Sequence, residues 1–254
     1  MKKIFFGLFL LLGTFFYPQE IDWDAAEQRY LAKDYDSALA IYQTAAQTWI
    51  SAHLEYNQGL LYFQKKQLGW AIWHFERASL LDPLNQNIQH NLQMAKKLQS
   101  DKFEKQDFSP SWQDILAALL PVTWLSAIAT TLVGLIVLSL GASIAIQRIR
   151  KIGQLTAVAF TALWAIMSYL ERAQIDYLQT AKYLIIVQNN ASLYTEPAPN
   201  AEQIYTLHEG SKVKKIKENE RYFYVETLSN TQGWIAKDRV AAIAFTQKEP
   251  TTPH

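Results

Sequence analysis

Three long apolar runs interrupt the chain, and the stretches between and beyond them follow two different periods. The first run, Ile4–Phe16, sits behind Lys2 and Lys3. A basic start ahead of a short apolar stretch predicts a signal peptide or an N-terminal anchor over residues 1–19, with a buried core helix as the alternative. The exit reads Gly13-Thr14-Phe15-Phe16-Tyr17-Pro18-Gln19. It offers no small-x-small site, so cleavage and retention both stay open. The second run, Val122–Ile146, carries no charge; at 1.5 Å per residue it measures about 37 Å, against a hydrocarbon core of about 30 Å. The third, Ile152–Leu170, is also uncharged and measures about 28 Å. Together they predict a two-helix membrane hairpin, with spans at 122–146 and 152–170.

The hairpin turn, Gln147-Arg148-Ile149-Arg150-Lys151, holds three positive charges. Short Arg/Lys-rich loops stay in the cytoplasm, which places the turn inside and both ends outside, with Trp124 and Tyr169 at the outer interface. Residues 100–121 read as a linker. Within it, Ser109 suits an N-cap and Pro110 the first helical position. Ile115, Leu116, Leu119 and Leu120 then share one face before Pro121. Trp112–Leu120 is therefore expected either as a helix on the membrane surface or as an extension of the span through a proline kink.

Residues 22–99 carry helical periodicity and an internal repeat. Tyr35–Ala45 aligns with Leu68–Ala78 at an offset of 33 residues. The second copy places Gly59, Tyr62, Ala71, Phe75, Ala78 and Pro83 at the small, aromatic and proline positions of a tetratricopeptide repeat, whose period is about 34; the segment resembles that family. The first copy is weaker, with Arg29 in an aromatic position and Ile50 in that of the proline. Five helices are expected, two hairpins and a closing helix. Trp70, Trp73 and Phe75 read as core. The resemblance implies a groove lined by the first helix of each pair. Tyr56, Asn57 and Asn91 fall there, where an amide could pair with an extended peptide; the asparagines could equally bridge helices within the stack.

From residue 181 to 245 the period shortens to that of strands. Leu184–Val187, Ala191–Tyr194, Gln203–Leu207, Lys212–Lys217, Tyr222–Thr227 and Gly233–Ala236 are separated by turn signals such as Asn189-Asn190 and Ser229-Asn230. Six short strands predict a small barrel or sandwich. Pro197, Leu207–Val213 and Gly233-Trp234-Ile235 resemble the bacterial SH3-like (SH3b) domain. In that resemblance Tyr194 and Trp234 are the surface candidates, although Tyr194 and Glu196 stand where the family usually has Arg and Gly. Lys212, Lys214, Lys215 and Lys217 form a basic strand, expected to be solvent-facing and to block edge pairing, with contact to anionic lipid or a polymer as the alternative. Residues 246–254 read as a disordered tail. The fold class is multidomain: an all-α repeat module, a two-helix membrane hairpin and a small all-β module.

Composition narrows function. Half the residues are hydrophobic and the net charge is +1, which points to no nucleic-acid partner. No cysteine occurs, so a lipoprotein anchor and a Cys nucleophile are excluded. His53, His74 and His90 are spread over the helices, His208 stands in a turn, and no HExxH, P-loop or dinucleotide fingerprint is present. No catalytic residue, metal site or cofactor is expected, and the chain does not read as an enzyme.

The order of signal segment, repeats, two spans with a basic turn and terminal SH3-like domain resembles the BatE family of the Bat aerotolerance group. That resemblance implies a scaffold in a bacterial inner-membrane complex, with both soluble modules in the periplasm and von Willebrand factor A-domain membrane proteins as partners beside the lipid bilayer. The alternative is a cell-wall sensor that binds peptidoglycan through the SH3-like domain.

Overall fold

A computed structural model describes residues 22–101, 108, 115–116, 119–120 and 122–245. The expected signal segment, most of the Trp112–Leu120 helix and the tail at 246–254 lie outside the described residues. The described residues divide into two compact units, with the boundary between Trp49 and Ile50.

The first unit holds α1 (Trp23–Leu31) and α2 (Tyr35–Ala46). Asp22 and Asp34 cap the two helices by accepting from the backbone N–H groups of Ala25 and Ser37, satisfying donors the first turn leaves open. Arg29 reaches back to Asp34 at 3.2 Å, which gives the residue found in an aromatic position a role in closing the turn.

The second unit opens with α3 (Ala52–Gln64), α4 (Leu68–Leu81) and α5 (Gln86–Lys97). Ser51 and Asn85 cap α3 and α5. The repeat is visible in the backbone. Lys33 and Lys66, 33 positions apart, both adopt φ 60° and close the α1–α2 and α3–α4 turns with the same pair of hydrogen bonds, Lys33 N–H to Tyr30 and Asp34 N–H to Arg29, Lys66 N–H to Phe63 and Gln67 N–H to Tyr62. A left-handed residue after the helix end collects carbonyls that the last turn leaves open. At the α3–α4 contact a Cβ on Gly59 would stand 2.6 Å from the Phe75 ring, so glycine sets how closely that aromatic packs.

Next come α6 (Val122–Ala145), a 3-10 turn (Gln147–Ile149) and α7 (Arg150–Gln179). Both helices are long and apolar enough to cross a membrane. They pack with small residues on the seam. Leu125, Ala129, Leu132 and Ser143 are buried on α6, and Gly153 and Ala157 on α7. Leu125, Ala129 and Leu132 on α6, and Gly153 and Ala157 on α7, fall at three- and four-residue steps that trace one face of each helix. A Cβ on Gly153 would meet the Ser139 carbonyl oxygen at 2.8 Å. α7 runs nine residues past the apolar run, through Glu171, Arg172 and Asp176, and only Thr180–Lys182 separate it from the sheet.

The sheet comprises β1 (Tyr183–Ile186), β2 (Ala191–Tyr194), β3 (Gln203–Leu207), β4 (Lys212–Glu218), β5 (Tyr222–Glu226), β6 (Gln232–Ala236) and β7 (Val240–Ala242). Their order is β3-β2-β6-β5-β4-β1-β7, with antiparallel pairing throughout. The sheet is open, with β3 and β7 at its ends, where the strand spacing predicts a barrel or sandwich. Leu184, Leu193, Leu207, Val213, Val225 and Ile235 are fully buried and form its core. A Cβ on Gly233 would stand 2.8 Å from the Leu193 side chain; glycine lets β6 lie close to β2.

The basic strand needs correction. β4 lies in the interior of the sheet between β5 and β1, so its lysines guard no edge. Three of them are instead matched to carboxylates: Lys212 to Glu76 at 3.1 Å, Lys214 to Glu226 at 3.6 Å and Lys215 to Glu218 at 3.4 Å.

Candidate functional site

Within the second unit α4 is the keystone, because Gly69 through Ala78 are all buried. One side of the helix meets α3 and the other meets the sheet. A Cβ on Gly69 would be 2.6 Å from the Ile186 carbonyl oxygen, so the helix lies directly on β1. Its polar side chains are then consumed in the joint. Trp73 Nε1–H donates to the Ala242 carbonyl at 2.8 Å, and Arg77 Nη1–H to the Ala244 carbonyl at 2.8 Å. The Arg77 guanidinium lies between the Trp73 and Phe245 rings, 4.4 Å from each centroid, an arrangement that pairs a weakly hydrated cation with two ring faces.

Arg77 also donates through Nε to Glu55 Oε1 at 2.8 Å, while His74 Nδ1 meets Glu55 Oε2 at 2.8 Å. These side chains are between 2% and 5% exposed. Burial alone would raise the Glu55 pKa, but the hydrogen bonds and charges of His74 and Arg77 outweigh it and hold the carboxyl below the usual range. Glu55 is thus a pivot between α3, α4 and, through Arg77, the segment that follows β7 at Ala244. A second joint follows α5. Asp101 accepts from the His208 backbone N–H at 2.8 Å, from the Ser211 hydroxyl and, at 2.7 Å, pairs with His208 Nδ1. Burial opposes and these hydrogen bonds favour the charged form; the net effect lowers the Asp101 pKa. Lys96 and Lys212 bracket Glu76 at 2.7 and 3.1 Å, and Gln99 donates to the Gly210 carbonyl.

The helical candidates are brought together in part. Asn91 Nδ2 donates to Tyr56 Oη at 2.7 Å, joining α5 to α3. Asn57 Nδ2 lies 3.2 Å from His53 Nε2 on its own helix. The bridging alternative therefore describes Asn91, whose amide is engaged inside the stack; Tyr56, Asn57 and Asn91 are half-buried, and the Tyr56 ring packs against Phe75 of α4 at 5.9 Å between centroids.

On the sheet, Tyr194 and Trp234 are register partners, and so are Tyr224 and Trp234 and Lys217 and Tyr224. Directly opposed residues project to the same side, so the four form one row across β2, β6, β5 and β4. The buried neighbours Leu193, Val225 and Ile235 alternate to the opposite face. The Tyr224 and Trp234 rings are 5.1 Å apart, and Lys217 Nζ sits 4.9 Å from the first and 5.3 Å from the second. A bulge between Leu193 and Tyr194 sets Gln203 opposite Tyr194 and extends the row to β3.

Sequence reasoning names Tyr194 and Trp234 but misses Tyr224, which period-two register would align with them, and Lys217, which a bulge between Lys215 and Lys217 brings opposite Tyr224. It also misses Glu55, Arg77 and Asp101. No group of three or more metal-ligating side chains occurs among the described residues. No family model matches the chain, and no curated protein or solved structure matches it.

Proposed function

We propose that this protein is a membrane-anchored adaptor: a helical hairpin holds it in the bilayer, and its outer helices and sheet hold partner proteins. The observation that carries this reading is the run of α7. It leaves the apolar span and enters β1 after three residues, while α3–α5 are locked to that same sheet through Arg77, Trp73 and Asp101. A partner bound to α3–α5 is thereby held at a set place relative to the membrane. The basic turn at Arg148, Arg150 and Lys151 supports a cytoplasmic turn and outer modules in the periplasm of a bacterium. The domain order resembles BatE, which makes von Willebrand factor A-domain membrane proteins of the Bat group the proposed partners. The face with Tyr56, Asn57 and Asn91 is the proposed partner groove, through the tetratricopeptide resemblance.

The test is affinity purification of the tagged full-length chain in mild detergent with mass spectrometry, beside an Asn57→Ala/Asn91→Ala variant. Recovery of von Willebrand factor A-domain membrane proteins that the variant loses is the expected result. Recovery of no membrane partner by the intact chain would sink the adaptor reading.

A further inference from the structure

Four lysines lie on β4, and they do not share one fate. Lys212, Lys214 and Lys215 each pair with a carboxylate. Among the described residues Lys217 has no such partner; its ammonium instead lies over the Tyr224 and Trp234 rings. With Tyr194 opposite Trp234 on the next strand, a third aromatic residue continues the line from the two rings that hold the cation. Aromatic faces attract ammonium through the ring quadrupole, and clustered rings are how proteins select organic ammonium ligands over neutral ones. All three rings are half-buried rather than sunk in the core, so the row is reachable. The Lys217 stem reaches it from the outer sheet face, where displacing the side chain disturbs no buried neighbour.

We propose that the Tyr194–Trp234–Tyr224 row is a binding site for an organic ammonium group, and that Lys217 occupies it in the unliganded protein. Lys217 stands in for the ligand: its Nζ marks where an incoming ammonium sits, and the side chain swings out when one binds. Gln203 at the β3 end and Gln232, which accepts from the Tyr224 hydroxyl at 3.4 Å, flank the row, their amide N–H groups already given to Thr206 and Glu226. The shared chemistry has two sources, a lysine side chain of a partner polypeptide or a small quaternary ammonium compound. The proposal rests on the adaptor reading only in giving the sheet a ligand of its own, and its test leaves the helical groove untouched.

The experiment uses the full-length chain in lipid nanodiscs, labelled with 5-fluorotryptophan, with the Trp234 fluorine resonance assigned by its absence from Trp234→Phe. The titrants are Nα-acetyl-lysine methylamide, choline, and Nα-acetyl-norleucine methylamide as the uncharged control. An internal competitor lowers apparent affinity in proportion to the time it occupies the site. Lys217→Met, an exposed-face change that the fold tolerates, should therefore lower the half-saturating concentration about three- to tenfold, given the usual strength of an ammonium–ring contact. Tyr224→Leu should raise it. Response to the lysine analogue alone assigns the source to a polypeptide, and response to choline alone to a small quaternary ammonium. A response to the norleucine analogue equal to that of the charged titrants overturns the proposal, as does no response to either ammonium or a midpoint unmoved by Lys217→Met.

Discussion

Two antiparallel helical hairpins in the second unit, α3–α4 and α6–α7, solve the same packing problem with opposite chemistry. In α3–α4 the seam is aromatic and charged: Tyr62 stacks on His74 at 5.1 Å between centroids, and Glu55, His74 and Arg77 are buried together. In α6–α7 the seam is made of small residues such as Ala129, Ser143, Gly153 and Ala157, while Val137, Leu138 and Ile144 on the outside are 63%, 69% and 84% exposed. Water would penalise that surface at about 1.5–3 kcal/mol for each large side chain, and hydrocarbon would not. Close backbone approach through small residues is how helices associate where no hydrophobic force separates inside from outside. The contrast separates a hairpin folded by water from one whose surface suits lipid. The Ser126 hydroxyl donating to Glu171, at the ends of α6 and α7 away from their connecting turn, marks where the second chemistry gives way to the first.

The sharpest way to break the comparison is at Glu55. Glu55→Ala strands Arg77 and His74 in the interior, and removing one member of a buried ionic cluster costs about 3–5 kcal/mol. Denaturant unfolding of the outer helices in the full-length chain should show that loss. A matching change in α6–α7, at Glu171, should leave that transition in place.

Gly153→Leu comes next. The new side chain would push against the Ser139 backbone, and overpacking of this kind costs about 1–3 kcal/mol. Gly134→Leu and Gly141→Leu have open space around the added atoms and should be neutral by comparison. Disulfide cross-linking between paired cysteines on α6 and α7 should fall for the first variant and hold for the other two.

Acid sharpens the difference further. Because the folded-state pKa of Glu55 lies below its ordinary value, its contribution is complete above about pH 4.5 and is lost as pH falls through the lower folded value. Asp101 acts in the same direction. The joint between the helices and sheet should therefore loosen on acidification, read as new proteolysis next to Asp101 and at His208–Ser211, while the α6–α7 seam stays protected.

The smallest effect belongs to the turns. Lys33→Gly and Lys66→Gly relieve a left-handed backbone that a side chain disfavours, by about 1 kcal/mol or less net of the extra freedom glycine gives the unfolded chain. Thermal unfolding should shift slightly upward or not at all.

Much of this was legible in the pattern of residues. Charge-free length marks α6 and α7, the 33-residue offset marks the two repeat hairpins, and turn residues mark six of seven strands. β7 escaped because three residues, Val240–Ala242, carry no readable alternation. Leu170 ends the apolar span but not the helix: α7 continues through the polar stretch to Gln179, which the apolar pattern alone does not mark. The joints were invisible for a different reason. Glu55 and Arg77 lie 22 positions apart, and Asp101 and His208 lie 107 apart, so no local period links them; each looks like an ordinary surface residue until the fold supplies its partner. His74 and His208, read as isolated, each meet a carboxylate for the same reason.

The account rests on the α6–α7 hairpin crossing a membrane with the sheet outside. The chain has no cysteine, so single cysteines at Ser229 and at Gln147, both exposed, report on the two ends. With an impermeant thiol reagent on intact spheroplasts, the Ser229→Cys protein should label at once and the Gln147→Cys protein only after permeabilisation. Labelling of Gln147→Cys in intact cells with protection of Ser229→Cys would contradict the orientation, and prompt labelling of both would contradict the crossing itself.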